Sequence, residues 1–229
     1  MKRTHVNELI RDAIAFFEMH QFLLPPFAYW SPTDWQERGN EAAEIIDNKL
    51  GWDITDFGKE RFVEFGLILF MLRNGPSAAS GREAGKPYAE KAMIVGVDQM
   101  TPMHHHWSKT EDIINRGGGR LMIKIYTVNR DEGVGTQEVE YSTDGIRQIG
   151  PPGHIVALRP GESITLTPNI YHSFWAKDEP VLAGEVSTVN DDDTDNGFHV
   201  PVGRFPDIEE DTPMTHLLVS DYKVLPSAR

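Results

Sequence analysis

From residue 65 onward the chain consists of short apolar runs separated by turn-forming residues, and this alternation constrains the fold more than any other feature. The breaks are rich in glycine, proline, asparagine and aspartate: Asn74-Gly75-Pro76, Gly117-Gly118-Gly119, Asp144-Gly145, Pro151-Pro152-Gly153 and Pro160-Gly161. Between them lie the segments that we predict to be strands: residues 66–72, 91–97, 121–128, 138–141, 154–158, 163–166 and 181–189. Many short strands at this spacing predict an antiparallel sandwich or barrel.

The preceding part of the chain, residues 1–64, carries apolar side chains at helical spacing instead. Helices are predicted over residues 5–20 and 41–49. The start of a further helix is indicated by a capping-box pattern formed by Ser31, Pro32 and Asp34. We therefore expect residues 1–64 to be a helical appendage that covers a β-domain of residues 65–229, the two forming one structural unit.

The charge balance restricts the class of partner. The chain has 22 Lys and Arg residues against 35 Asp and Glu residues, a formal net charge of −13. This excess argues against nucleic acid and anionic membranes as partners, and no apolar run is long enough to span a bilayer. We expect a small neutral substrate. The absence of cysteine agrees with a reducing cytoplasm, where we expect the protein to act, and it limits metal ligands to nitrogen and oxygen.

A run of three histidines provides the strongest sign of chemistry. In an extended strand, residues two apart project to the same face, so His104 and His106 point together while His105 points away. Glu111 follows after a short stretch of chain, and His172 precedes another apolar run. Imidazole and carboxylate together suit a divalent first-row transition metal. We predict that His104, His106, Glu111 and His172 bind one metal ion.

The same residues carry a resemblance to a known superfamily. His104 and His106, followed by Glu111 and Gly118, resemble the first motif of the cupins, and residues 160–172 resemble the second. Two positions, both at turns, depart from these motifs: Asp98 and Asn169. The resemblance implies a mainly β protein with a cupin β-barrel, also called a double-stranded β-helix or jelly roll, and N-terminal α-helices packed on it.

Longer blocks, spread over nearly the whole chain, resemble the D-lyxose isomerases of the longer bacterial type. They are LPPFA at 24–28, LGWD at 50–53, LRNG at 72–75, YAEK at 88–91, TPMH at 101–104, EDIINRGGG at 111–119, YHSFW at 171–175, GEVS at 184–187 and VNDDD at 189–193. So many blocks in order are more specific than a cupin motif, because that fold serves many functions. The resemblance implies a homodimeric, manganese-dependent isomerase that interconverts D-lyxose and D-xylulose, with D-mannose and D-fructose as slower substrates.

The expected chemistry fits the predicted ligands. Moving a carbonyl from C1 to C2 of a sugar requires a weak carbon acid to lose a proton, through a cis-enediol intermediate. A divalent cation stabilises the negative charge that develops on oxygen. Three histidines and one glutamate leave two positions of an octahedron for substrate, which suits Mn²⁺, or another first-row ion such as Co²⁺, better than tetrahedral zinc.

Two charged residues are candidates for moving the proton. Lys91 precedes the first ligand by about one hairpin, and Glu185 lies in an apolar strand where a carboxylate is costly unless it has a partner. Each has a structural alternative, because Lys91 can pair with Glu90 at a strand end and Glu185 can pair with an interior arginine. Either residue can be the general base, and the sequence leaves both assignments open.

Further residues are candidates for contacts with the sugar. Trp107 and Phe174 can form an apolar wall, although aromatic side chains beside a barrel ligand more often belong to the core. Asp193 and Arg204 can bind hydroxyl groups, although polar loop residues are commonly only solvated. The acidic run at residues 191–195 lacks the glycine and glutamate of a calcium loop, and we interpret it as a solvated loop or one edge of an active-site mouth.

Other functions remain open at this point. A cupin dioxygenase uses iron and O₂ at the same set of three histidines and one glutamate. A non-catalytic sugar-binding cupin has no need of the ligands. A phosphosugar isomerase is disfavoured by the acidic charge and by the lack of a clear basic patch.

Overall fold

The computed structural model describes residues 1–77, 80–82, 85–203 and 206–225, which form one antiparallel sheet of 11 strands with helices at the N-terminal end. The strands are β1 (Gly51–Thr55), β2 (Leu67–Arg73), β3 (Tyr88–Val95), β4 (His104–His105), β5 (Glu111–Thr127), β6 (Val139–Thr143), β7 (Ile146–Gly150), β8 (His154–Leu158), β9 (Ser163–Leu166), β10 (Ile170–Thr188) and β11 (Gly197–Phe198). The α-helices are α1 (Arg3–Met19), α2 (Pro32–Arg38), α3 (Ala43–Asp47) and α4 (Phe62–Phe65).

Two long strands, β5 and β10, pair with each other and connect the two layers of the sheet. The first part of β5, at residues 111–114, pairs with β9, and its second part, at residues 121–125, pairs with β8. Similarly, β10 pairs with β4 at His172 and with β3 at residues 181–188. Because both strands pass from one layer to the other, the sheet folds over an interior lined by both layers.

An apolar core fills this interior. Its buried side chains come from both layers, and they include Leu67, Leu69, Met93, Ile113, Ile123, Val156, Ile164, Phe174 and Ala183. The intervening side chains of β2, Ile68 and Phe70, face the opposite side of the sheet and are also buried. Burial on both faces explains why β2 reads as a continuous apolar run. The prediction of a mainly β fold with a packed barrel interior is confirmed.

The glycine run at residues 117–119 is a bend inside β5, although the sequence indicated a hairpin turn there. The pairing with β10 continues on both sides of the run, with an irregularity between Lys177 and Val181. Gly118 has a φ of +94°, and a Cβ at this position would lie 2.0 Å from the Pro180 carbonyl oxygen. The prediction of a turn is wrong because glycine here permits a close approach of two bent strands, not a chain reversal.

The crowding at Gly118 leads to a prediction about the free energy of unfolding. Gly118→Ala adds a methyl group against backbone and forces alanine into the left-handed region, so we expect a loss of about 2–6 kcal/mol in the free energy of unfolding. The matched control is Gly161→Ala, because Gly161 also has a φ of +94° but no atom of the described residues lies within 4 Å of the added Cβ. That change should cost only the backbone strain, about 1–3 kcal/mol. Chemical denaturation measures both, and equal losses would contradict the steric argument.

Helix α1 covers the outer face of one layer. Its buried apolar side chains follow helical spacing and are Val6, Ile10, Ala13 and Phe17. They pack in one cluster with Trp52 of β1 and Phe70 of β2. The opposite face of α1 is exposed, so the helix is amphipathic. Within the described ranges, no helix is both long enough and apolar enough to cross a membrane.

The predicted N-terminal elements differ in how well they match the structure. The helix predicted over residues 5–20 is α1, and the capping box predicted at the start of α2 is present, with Ser31 and Asp34 bonded reciprocally. The helix predicted over residues 41–49 is confined to α3, which follows a turn of 3₁₀-helix. Strand β1 was not predicted, and it pairs with β2 along its whole length. The division at residue 64 stays a prediction.

Candidate metal centre and active site

A cavity opens at the inner face of the sheet, where β3, β4, β5 and β10 come together. Its charged and imidazole side chains are Lys91, His104, His106, Lys109, Glu111, His172, Glu185 and Asp192. Its apolar side chains are Phe57, Leu67, Leu69, Met93, Ile113, Phe174 and Phe198. A lining that combines a few polar groups with apolar side chains is usual for a small-molecule site.

Three imidazoles converge on one point of this cavity. His104 in β4 lies directly opposite His172 in β10, and His106 follows β4 on the same side as His104. One nitrogen from each of the three rings lies within 4.8 Å of the others. His105 points the other way and packs between Trp107 and Tyr171. The alternation of a β-strand therefore separates these neighbouring histidines as the sequence predicted.

Backbone carbonyls fix the orientation of the three converging rings. The Nδ1 atoms of His104 and His172 lie 2.8 and 3.2 Å from the carbonyl oxygens of Pro102 and Ile170. The Nδ1 atom of His106 contacts the carbonyl oxygen of Asp195. A carbonyl only accepts, so each Nδ1 carries the proton and each Nε2 presents a lone pair to the cavity. Burial, followed by the neighbouring His172 and His106, holds the pKa of His104 well below its usual value.

Glu111 completes this group of acceptor atoms. Its Oε1 lies 3.0 Å from His172 Nε2 and 3.6 Å from His106 Nε2. Both Glu111 Oε1 and His106 Nε2 are buried and have no hydrogen-bond partner in the described part of the chain. Lone pairs that face each other at such distances are costly unless a cation lies between them. The donor set therefore fits a divalent metal ion, and the three histidines can hold one.

The negative charge of Glu111 is also stabilised by a lysine at its second carboxylate oxygen. Its Oε2 lies 2.7 Å from the Nζ of Lys109. Burial alone would raise the pKa of Glu111, but Lys109, His172 and His106 outweigh it and hold that pKa well below the usual value. Burial would likewise lower the pKa of Lys109, and the carboxylates of Glu111 and Glu185 raise it instead. Glu111 is thus an ionised carboxylate beside a charged lysine.

Lys91 and Glu185 form a buried pair next to the imidazoles. They lie opposite each other in the β3–β10 ladder, and their side chains are 5% and 6% exposed. The Nζ of Lys91 lies 3.1 Å from Glu185 Oε1, and the Nζ of Lys109 lies 3.0 Å from the same oxygen. Glu90 pairs with Arg73 at the surface instead. Among the residues that the structure describes, the pairings suggested as structural alternatives for Lys91 and Glu185 therefore do not form.

Comparison with known proteins identifies the family. The family profile "D-lyxose isomerase" matches residues 1–222. The chain is 48% identical over 225 residues to a D-lyxose/D-mannose isomerase of Serratia proteamaculans, covering 97% of this chain and 98% of that protein. It is 46% identical over 226 residues to a D-lyxose/D-mannose isomerase of Escherichia coli O157:H7, covering 97% and 99%.

The chain belongs to the D-lyxose isomerase family. The resemblance that the sequence blocks carried is confirmed, and with it the enzyme class, an aldose–ketose isomerase. In fold, this family member is similar to the solved L-ribose isomerase of Cellulomonas parahominis, with a TM-score of 0.61, 17% identity and coverage of 91% and 98%. The L-ribose isomerase of Geodermatophilus obscurus gives a TM-score of 0.56 at 19% identity, covering 91% and 98%. The predicted cupin-type fold is confirmed.

The residues predicted to contact substrate lie in different places in this D-lyxose isomerase family member. Phe174 is buried and lines the cavity beside His172. Trp107 is 44% exposed and its indole N–H points to Glu132, and Asp193 pairs with Lys49 at the surface. Arg204 lies outside the described residues. The substrate roles of Trp107, Asp193 and Arg204 stay predictions, and neither Trp107 nor Asp193 lines the cavity.

Two polar residues that contact the Lys91–Glu185 pair were not identified from the sequence. Lys109 is 3% exposed and bridges Glu111 and Glu185. Asn190 is 6% exposed, and its amide oxygen accepts from the Nζ of Lys91 at 2.6 Å and from Lys109 at 3.4 Å. A signal for Lys109 was its position two residues before Glu111, the same interval that relates His104 to His106. Asn190 gave no comparable signal, because its place depends on the loop after β10.

Proposed function

We propose that this protein is a metal-dependent isomerase that interconverts D-lyxose and D-xylulose, and D-mannose and D-fructose, through a cis-enediol. The names of the bacterial relatives support the choice of sugars. The observation that carries the proposal is the convergence of three imidazole nitrogens and a carboxylate oxygen beside the buried Lys91–Glu185 pair. The cysteine-free sequence and the family resemblance support a cytoplasmic homodimer.

The proposed metal ligands are His104, His106, Glu111 and His172. Mn²⁺ suits a set of nitrogen and oxygen donors that leaves positions open in an octahedron, and Co²⁺ is an alternative. The bound ion would supply Lewis acidity that stabilises negative charge on the sugar oxygens at C1 and C2. The protein's own contribution is to hold four donors rigidly, three through backbone carbonyls and one through Lys109.

Glu185 is the proposed general base. Lys91 is the proposed residue that donates a proton to the sugar oxygen. A carboxylate paired with two lysines is anionic and able to accept a proton, whereas a lysine paired with that carboxylate is a charged donor. In the aldose-to-ketose direction, Glu185 takes the proton from C2, the electron pair forms the C1–C2 double bond, and O1 gains a proton from Lys91. Glu185 then returns its proton to C1 while O2 releases its own to Lys91, which balances atoms and charge.

The apolar wall has a separate proposed role. Phe57, Phe174 and Phe198 line the same cavity as the charged residues, and the Phe198 ring lies beside His104 with ring centres 5.6 Å apart. Such a wall excludes water from the reacting carbons, which strengthens the electrostatic interactions within the site. We propose Phe174 as a contact of the sugar's carbon chain on this side.

Removal and restoration of metal test the proposed function. After treatment with chelator and removal of the chelate, ketose formation from D-lyxose and D-mannose should fall at least about 100-fold, because a Lewis acid contributes several kcal/mol. Adding Mn²⁺ alone should restore it. Undiminished turnover with metal content near zero would contradict the proposal, and iron-dependent O₂ uptake without ketose formation would favour a dioxygenase.

A further inference from the structure

The ligand loop, residues 106–110 between β4 and β5, carries much of the site without regular secondary structure. It begins with His106, includes Lys109, and leads directly into Glu111. Backbone N–H groups in such a loop lack the ladder partners that fix residues within a strand. The positions of His106 and Lys109 therefore depend on the contacts that hold the loop from outside, and Glu111 begins the strand that follows.

A single carboxylate, that of Asp195, accepts hydrogen bonds from three consecutive N–H groups of the ligand loop. Its Oδ1 accepts from the backbone of Trp107 at 2.8 Å and of Ser108 at 3.0 Å. Its Oδ2 accepts from the backbone of Lys109 and from the Ser108 hydroxyl, both at 2.9 Å. Asp195 is 7% exposed, so water competes little for these bonds.

The backbone of Asp195 holds the same loop by a second route. Its carbonyl oxygen accepts the hydrogen bond from His106 Nδ1. This bond leaves the Nε2 atom of His106 facing Glu111 Oε1. One residue on the connection between β10 and β11 thus orients an imidazole through its main chain and shapes the following backbone through its side chain.

We propose that Asp195 is the positioning residue of the metal centre, which sets metal affinity by fixing His106 and the backbone that leads to Lys109 and Glu111. The inference rests on the proposed function only in assuming that these side chains bind a metal. Groups that orient metal ligands without touching the metal typically change its affinity 10- to 100-fold. Asp195 holds one ligand, His106, and the backbone of Lys109, which is the charge partner of Glu111, so an effect of this size is expected.

The charge state of Asp195 is consistent with this role. Burial would raise its pKa, but the hydroxyl and N–H groups of Ser108 and the N–H of Trp107 outweigh burial and lower it. Hydrogen bonds to an ionised acceptor are shorter and stronger than those between neutral groups. A neutral amide in its place would accept through one oxygen only and would present its NH₂ group to donors.

The same arrangement couples the metal centre to the proton-handling pair. The segment from Asn190 to Asp195 is short, and its first residue accepts from Lys91 while its last holds His106. The N–H of Asp195 also donates to the Asp191 carbonyl, which closes the segment on itself. A substitution at Asp195 should therefore weaken metal binding most and change the position of Lys91 to a smaller extent.

The test is calorimetric titration of chelator-stripped, full-length protein with Mn²⁺, comparing the original sequence with Asp195→Asn. We expect the Kd for Mn²⁺ to increase by about 10- to 100-fold. At saturating Mn²⁺, kcat for D-lyxose should return to within about 10-fold of the original, because the variant has all four ligands. A residue that only supported folding would lower the melting temperature of the stripped protein and leave the Kd unchanged.

The matched control is Asp144→Asn. Asp144 also accepts from the N–H and hydroxyl of one serine, Ser163, at 3.0 and 2.8 Å, but it does so at an exposed turn. Its replacement should leave the Kd for Mn²⁺ unchanged. Ser108→Ala removes one of the four bonds to the Asp195 carboxylate and should give a smaller increase, which keeps the test available if Asp195→Asn does not fold.

The outcomes separate the two proposals. An unchanged Kd in Asp195→Asn, or in Ser108→Ala if only that variant folds, overturns the positioning role while the metal centre stands. Absence of Mn²⁺ binding by the original sequence overturns the metal centre itself, and the positioning role with it. An increased Kd in Asp195→Asn with an unchanged control supports the inference.

Discussion

Replacing His172 with alanine is expected to abolish both metal binding and sugar isomerisation. The ring is 1% exposed, and its Nε2 lies 3.0 Å from Glu111 Oε1 in the group of convergent donors. Its loss removes a nitrogen donor from the centre and leaves the carboxylate with one fewer neighbour. Since a Lewis acid contributes several kcal/mol, ketose formation should fall at least about 1,000-fold. Calorimetry with Mn²⁺ and a ketose assay with D-lyxose measure the two effects.

The informative control is the neighbouring histidine that faces away from the cavity. His105 is also 1% exposed, but it packs against Trp107 and Tyr171. His105→Asn should lower the melting temperature through lost packing and leave the Kd for Mn²⁺ within a few-fold. Equal losses of Mn²⁺ affinity in the two variants would mean that the effect is general instability, and unchanged turnover in His172→Ala would remove that residue from the ligand set.

Replacing Lys91 with methionine is expected to stop proton transfer while metal binding continues. The Nζ of Lys91 contacts Glu185 and Asn190, and neither residue belongs to the proposed ligand set. A positioned acid or base typically contributes about 10²- to 10⁴-fold, so kcat should fall by that factor. The Kd for Mn²⁺ should stay within a few-fold, because Glu185 keeps Lys109 as a partner at 3.0 Å.

A lysine outside the cavity provides the comparison. Lys86 is partly exposed and ion-paired with Glu44, so Lys86→Met makes the same substitution and removes an exposed ion pair without touching the site. Its kcat should equal that of the original sequence, since exposed ion pairs contribute little. If Lys91→Met kept its kcat, or lost kcat only in proportion to its bound Mn²⁺, the proposed role of Lys91 in proton transfer would be wrong.

The sequence was informative wherever function follows from the periodicity of a strand. His104 and His106 share a face and His105 does not, and this follows from the alternation of side chains in extended chain. The capping box at Ser31 and Asp34 was equally predictable, because both of its hydrogen bonds are local. The family assignment rested on ordered blocks of sequence and is confirmed over residues 1–222.

Other features depend on contacts between distant segments and could not be predicted in this way. Strand β1 follows a helix in sequence, and only its pairing with β2 makes it part of the sheet. The glycines at 117–119 have the composition of a turn, and the crowding against Pro180 that gives them another role is invisible locally. Lys109, Asn190 and Asp195 acquire their partners from loops whose direction no repeating pattern specifies.

The continuity of β10 through its irregularity has a consequence for how such an enzyme can change. His172 and Glu185 belong to the same strand, on either side of the segment between Lys177 and Val181. Deleting one residue from that segment would turn every following side chain of β10 to the opposite face of the sheet. The Glu185 carboxylate would then leave the interior, although no residue of the site had been replaced. Insertions and deletions should therefore be tolerated in the surface loops of this chain long before they are tolerated there.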